Sequence, residues 1–244
     1  MSERGAFQER RLAILASSID PADAIGLEVG ASDLPTVPSF VGRCRYADFR
    51  TAEQMSEMWE LPLESLCPVD YLLARDRSIL DQIPDRFDYV VACHVLEHVP
   101  DPISYINDLR SLLHPGPGKL IFLTLPDKRA TLDRTRPSTT VERLLSSFHD
   151  RRKSPSFEQV LEFHRHWVGY ANGDAPLPIA EAYQYADEAL KSGQADAHCH
   201  VWEDDEFLSQ CQDLINAGFL PGLEVARFEP FFMGTNEFGI VLRT

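Results

Sequence analysis

The fold this sequence predicts is α/β, a doubly wound, mostly parallel seven-stranded sheet of the Rossmann-like kind with a helical insertion after the fifth strand. Three observations predict it. Five short, nearly continuous apolar runs follow one another between residues 24 and 126, each bounded by turn residues, the pattern of parallel strands covered on both faces. Helical spacings of apolar residues separate them. From Asp127 the strand rhythm stops, and it resumes only near the end of the chain with two closing strands.

The elements follow in order. Ala6 to Ser18 alternates charged and apolar residues at helical spacing until Asp20-Pro21, so residues 1–20 are read as an N-terminal helix. The strands are AIGLEVG (24–30), CRYAD (44–48), VDYLL (69–73), DYVVACHV (88–95) and KLIFLTLP (119–126). Between the last two, Ile103, Ile106, Leu109 and Leu113 give one helix an apolar face, and Pro115-Gly116 ends it. Residues 127–200 read as an insertion or lid with helical patterns around Thr140 to Phe148, Ser156 to Tyr170 and Ala180 to Lys191. A helix from Asp204 to Ala217 carries three acidic residues in its first turn, where the helix dipole favours them, and stops at Gly218. GLEVARFEPFF (222–232) and EFGIVLRT (237–244) close the sheet, and residues 1–244 are read as a single domain.

Composition narrows the partners. A net charge of −15 argues against nucleic acid or an anionic membrane, which need clustered Lys and Arg, and favours a small-molecule partner. No apolar run approaches the roughly 20 residues that span a bilayer, and MSERGAFQERR lacks a signal-peptide core; a cytoplasmic location is expected. The five cysteines are scattered without a C-x-x-C pair, so neither a disulfide framework nor a cysteine zinc knuckle is expected.

In an open parallel sheet, ligands lie beyond the carboxyl ends of the strands. There the sequence offers Glu28, Gly30, Ala31 and Ser32 after the first strand, Asp48 at the end of the second, Asp76 after the third, and HVLEHVPDP after the fourth. The last contains H-x-x-E-H, which on a helix would be a zinc signature. Here it emerges from a β-branched run, and Pro100-Asp101-Pro102 leaves no room for two helical turns, so no metal is expected there or at His198-Cys199-His200.

The order of these parts resembles the class I S-adenosylmethionine-dependent methyltransferases, best over RFDYVVACHVLEHVPDPISYINDLRSLLHPGPGKLIFLTLP, with its proline-glycine turn before the fifth strand. The resemblance covers roughly residues 24–126 and the closing strands. It implies S-adenosylmethionine as cofactor, with Glu28, Gly30, Ala31 and Ser32 by its methionine part, Asp48 by the ribose, Asp76 by the adenine, and Cys93 and His94 along its flank. Only Gly30 stands where that family often has three glycines. GLEVGASDLPTV, LPDKRATLDRTRPST and HCHVW also look like a bacterial subgroup, of type 11/23, associated with surface-polysaccharide and secondary-metabolite pathways.

From Pro126 to Lys153 the chain carries eight basic residues against four acidic ones. Arg129 and Arg136 are therefore candidates for holding an anionic acceptor, against the plainer reading of a solvated helix face. His98 and His200 are candidate general bases, since histidine exchanges a proton near neutral pH. Three functions follow: methyl transfer from S-adenosylmethionine to an oxygen or nitrogen of a small, anionic or sugar-like acceptor; a non-catalytic binding or regulatory module on the same fold; and a metallopeptidase resting on HVLEH alone.

Overall fold

Alternation along single strands builds both faces of the core. In β4 (Tyr89–Cys93), Tyr89, Val91 and Cys93 pack with Ile14 and Leu15 of helix α1 (Glu3–Ala16), while Val90 and Ala92 pack on the opposite face with Ile103, Ile106 and Leu109 of α3 (Pro102–Ser111). β5 (Leu120–Pro126) repeats the division, Leu120 and Phe122 on one side and Ile121, Leu123 and Leu125 on the other. Strands buried on both faces need apolar residues at every position, which is why these runs are continuous in sequence.

The computed structural model describes residues 3–171, 173, 175–193 and 195–244; of the expected N-terminal helix, residues 1 and 2 lie outside the described residues. The remaining strands are β1 (Ile25–Val29), β2 (Arg43–Asp48), β3 (Tyr71–Leu72), β6 (Glu224–Glu229) and β7 (Glu237–Arg243), giving one seven-stranded sheet in the order β3-β2-β1-β4-β5-β7-β6. All neighbours are parallel except β7, which runs antiparallel to both β5 and β6. The order reverses between β1 and β4, the switch point where such sheets bind ligands.

Two boundaries differ from expectation. β3 is two residues long, although VDYLL reads as five. β4 stops at Cys93 instead of continuing through Val95, because His94 takes a left-handed backbone (φ +54°) and Leu96–His98 forms a single 3-10 turn. That turn runs into α3, whose start is fixed by the Asp101 carboxylate accepting from Ser104 N at 3.1 Å and by proline in its first turn. A helix left unassigned in the sequence, α2 (Ala52–Trp59), is capped by a reciprocal Thr51–Gln54 box.

The segment after β5 holds α4 (Val141–His149), α5 (Phe157–Ala171) and α6 (Ile179–Ser192). Val160, Phe163, Ala186 and Ala197 form a small core of their own there. The chain then returns past the sheet and enters α7 (Asp204–Asn216), which covers the α3 face. Among the described residues no helix is long and apolar enough to cross a membrane.

Candidate active site

The loops leaving β1, β2 and β4 converge at the switch point. Gly30 follows β1 with φ +74° and donates to Ala47 O at 2.9 Å; a Cβ at this position would lie 2.8 Å from Val95 Cγ2, so only glycine fits. Beside it, Ser32 (φ +50°) and His94 (φ +54°) are left-handed without being glycine. Such backbones cost about 1–3 kcal/mol each and persist where the surroundings hold them, a feature that collects at functional sites. Asp48 ends β2, nearly buried, with Oδ1 accepting from Arg50 N at 3.0 Å; burial raises its carboxyl above the ordinary value. Ala31 is buried, and Asp76 is exposed in the turn after β3.

Three residues expected at the cofactor, Glu28 by its methionine part and Cys93 and His94 along its flank, have other partners. Both Glu28 oxygens accept from Thr36 N (2.7 and 2.9 Å), and Oε2 also takes Val37 N, so this buried carboxylate ties down the loop after β1 and is not open to a ligand. Cys93 Sγ lies 3.4 Å from Thr36 Oγ1, and burial pushes the thiol up to about 11, leaving a wall residue. His94 turns its Nε2 to Glu237 Oε2 at 2.8 Å, and Arg11 of α1 pairs with the same carboxylate. Burial alone would raise Glu237, but the bonds from His94 and Arg11 outweigh it and hold the carboxyl at about 2. The peptidase reading ends here, because His94 and His98 are neither on one helix nor turned to one point.

The return segment, residues 195–202, lies along the turn after β4. Cys199 N donates to Glu97 O at 2.7 Å, and Val201 O accepts from Thr139 N at 2.8 Å. Asp196 gathers the exits of three strands: Oδ2 takes Arg50 Nη2 at 2.9 Å and Arg75 Nη2 at 3.5 Å, and Oδ1 stands 3.1 Å from His98 Nδ1. The His98 bond is the largest of the influences that hold Asp196 well below the usual carboxylate range. His98 and His198 meet edge to face, ring centres 4.6 Å apart. Glu97 joins them: one ligand-capable atom from each of Glu97, His98 and His198 lies within 4.8 Å of the others. Asp196 and His198 are the participants that loop reading underweights, and the D-A-H-C-H spacing is the signal that marks them.

Three expected residues are engaged within the protein. Arg136 is fully buried and saturated, giving Nη1 to Asp133 at 2.8 Å, Nε to Glu162 at 3.0 Å and Nη2 to His198 O at 2.9 Å. It fixes Asp133, whose Oδ2 is 2.5 Å from His198 Nδ1, and so positions that histidine instead of meeting an acceptor. Arg129 forks onto Asp127 at 2.8 and 2.6 Å and also pairs with Asp204, locking the exit of β5 to the start of α7. His200 is completely buried, with Nε2 3.2 Å from Pro100 O, and burial pushes it down to about 3; the ring cannot reach an acceptor.

With this geometry in view, known proteins give the family. The family described as "Methyltransferase domain" matches residues 38–213. The chain belongs to this family. That match covers the chain from β2 into α7, the motif after β4 included. Similar curated proteins are the ubiquinone biosynthesis O-methyltransferases of Azotobacter vinelandii, 41% identical over 63 residues (26% of this chain, 27% of that protein), and of Idiomarina loihiensis, 40% identical over 75 residues (30% of each). The chain thus matches less than a third of the length of these relatives. Among solved structures it is similar to magnesium protoporphyrin IX methyltransferase from Synechocystis with bound SAH: TM-score 0.48, 11% identity, covering 99% of this chain and 83% of that one.

Proposed function

We propose that this methyltransferase transfers the methyl group of S-adenosylmethionine to an oxygen of a small acceptor seated over Glu97, His98 and His198. The observation that carries the reading is this set of groups at the exit of β4, where two imidazoles each have a carboxylate at Nδ1 and a buried carboxylate stands between them. The similarity to O-methyltransferases supports oxygen over nitrogen.

The residues present fit the cofactor. The left-handed, glycine-only turn at Gly30 with the small Ala31 and Ser32 leaves backbone free to approach a ligand closely, and Asp48 has acceptor capacity suited to ribose hydroxyls. Asp76 and the flank of His94 complete the proposed pocket; Glu28 shapes it from behind. The cofactor supplies an electrophilic methyl on sulfonium. The chain supplies orientation, which contributes about 7–11 kcal/mol when the reacting atoms are held in line, and a place for the acceptor's proton. With Asp196 Oδ1 3.1 Å from its Nδ1, His98 has Nε2 to receive it when no cation occupies that nitrogen.

The test is transfer of label from methyl-labelled S-adenosylmethionine to a panel of phenols, catechols, sugars and amines. Label appearing on a hydroxyl compound is expected. Transfer to amines alone would replace the oxygen reading.

A further inference from the structure

We propose that Glu97, His98 and His198 bind one divalent transition-metal ion, zinc or a metal of similar ligand preference. This reverses the expectation from sequence, because the structure exchanges His94, which is committed to Glu237, for His198, a hundred residues further along the chain.

Four observations converge. The three residues are a carboxylate and two imidazoles, a donor set that suits zinc and its neighbours. Their ligand-capable atoms lie within 4.8 Å of one another; bonds of about 2.0–2.2 Å to a common ion need them within about 4 Å, an adjustment of roughly an ångström in the side chains. His198 Nδ1 is hydrogen-bonded to the Asp133 carboxylate at 2.5 Å, the arrangement that fixes a metal-binding ring with Nε2 outward, and Asp196 Oδ1 stands 3.1 Å from His98 Nδ1, which has no hydrogen-bond partner of its own among the described residues. Finally, Glu97 is 1% exposed, and its Oε2 has no hydrogen-bond partner among the described residues. A buried carboxylate oxygen with no partner is costly, and a cation removes that cost.

Three protein ligands leave open positions on the ion, as in catalytic rather than structural sites, and the side chains of His98 and His198 are 34% and 15% exposed, so the cluster can be reached from solvent. What the ion does rests on the methyl-transfer reading; whether it binds does not. There it would hold the acceptor hydroxyl oxygen and lower its proton affinity, the proton leaving to solvent while His98 serves as ligand. The oxygen then bonds to the methyl carbon as the carbon–sulfur bond breaks, its electron pair staying on sulfur.

The experiment uses the full chain without a histidine-rich tag, stripped of metal and titrated with cobalt(II) and then zinc, with SAH binding followed separately by calorimetry. The expected result is one cobalt per chain with the visible bands of a low-coordinate site, displaced by zinc. Glu97→Gln and His198→Ala should weaken binding at least about tenfold, Asp133→Asn about 10–100-fold, and His94→Ala should leave it intact, each variant checked for native circular dichroism. Should a variant fail to fold, the cobalt bands of the unmodified chain decide. No such bands at millimolar cobalt, or binding lost in His94→Ala and kept in His198→Ala, would overturn the site. Normal SAH binding without metal removes the ion and leaves methyl transfer standing; metal without SAH binding supports the site and removes its proposed role.

Discussion

The exits of β1, β2 and β4 and the insertion after β5 are both rich in charge, yet they use it in opposite ways. In the insertion the expected acceptor-binding cations are paired: Arg136 meets Asp133, Glu162 and a carbonyl, and Arg129 meets Asp127 and Asp204. At the strand exits, Glu97 keeps an unpartnered oxygen, and His94 and Ser32 hold unfavourable backbones. A local excess of basic residues therefore says little about free charge. Capacity for chemistry collects where groups are held but not satisfied.

Removing Arg136 should break this contrast most forcefully. Arg136→Ala leaves the buried Asp133 without its guanidinium and Glu162 with Arg143 alone, and loss of one partner of a buried pair costs about 3–5 kcal/mol. Chemical denaturation should show that loss. A variant of unchanged stability with weaker acceptor binding would restore Arg136 to the acceptor.

Acid tests the other side of the comparison. Glu237 is held at about 2 against an ordinary 4.5 while facing Arg11 and His94, so the folded state favours its charged form. The stability it contributes is complete above pH 4.5 and is lost as pH falls toward 2, about 3 kcal/mol in total. Denaturation midpoints measured across that window should drop in the unmodified chain and drop less in Glu237→Gln. Equal slopes in the two proteins would remove the Arg11–Glu237–His94 link as a stabilising contact.

At the cofactor, Asp48→Ala removes a charged acceptor of hydrogen bonds worth about 1.5–3 kcal/mol, so SAH affinity should fall by about 10- to 150-fold in calorimetry with the fold intact. Unchanged affinity would take Asp48 out of the pocket. Arg129 is itself 42% exposed, but it bridges Asp127, which is fully buried, and Asp204. Arg129→Ala should therefore cost about 1–3 kcal/mol in thermal denaturation, less than Arg136→Ala because solvent reaches one side of the pair, and an unchanged midpoint would remove the β5–α7 lock as a stabilising contact.

What could be read from sequence follows from the range of the interactions concerned. Strand order, the helix after β4 and the turn at Gly30 rest on local patterns, periodicity and turn chemistry, and these are written in consecutive residues. The short β3 and the early end of β4 depend on the backbone of single residues such as His94, which the apolar run DYVVACHV conceals. Partnerships across the chain were not legible. Arg136 reads as a free cation until His198 O and Glu162 arrive from elsewhere, His200 reads as a base until Pro100 and Gln159 enclose it, and Asp196 has no assigned role until Arg50, Arg75 and His98 converge on it.

In the proposed enzyme the reacting groups stand at the exit of β4, and the insertion's arginines hold structure. The most direct measurement is steady-state methyl transfer by His98→Ala and Arg129→Ala side by side, using a hydroxyl acceptor identified by label transfer, with SAH affinity measured on the same samples. The account predicts that His98→Ala lowers kcat by about 10²–10⁴ at unchanged SAH affinity, while Arg129→Ala leaves both kcat and the acceptor KM close to those of the unmodified chain. Full turnover in His98→Ala together with a steeply raised acceptor KM in Arg129→Ala would contradict it.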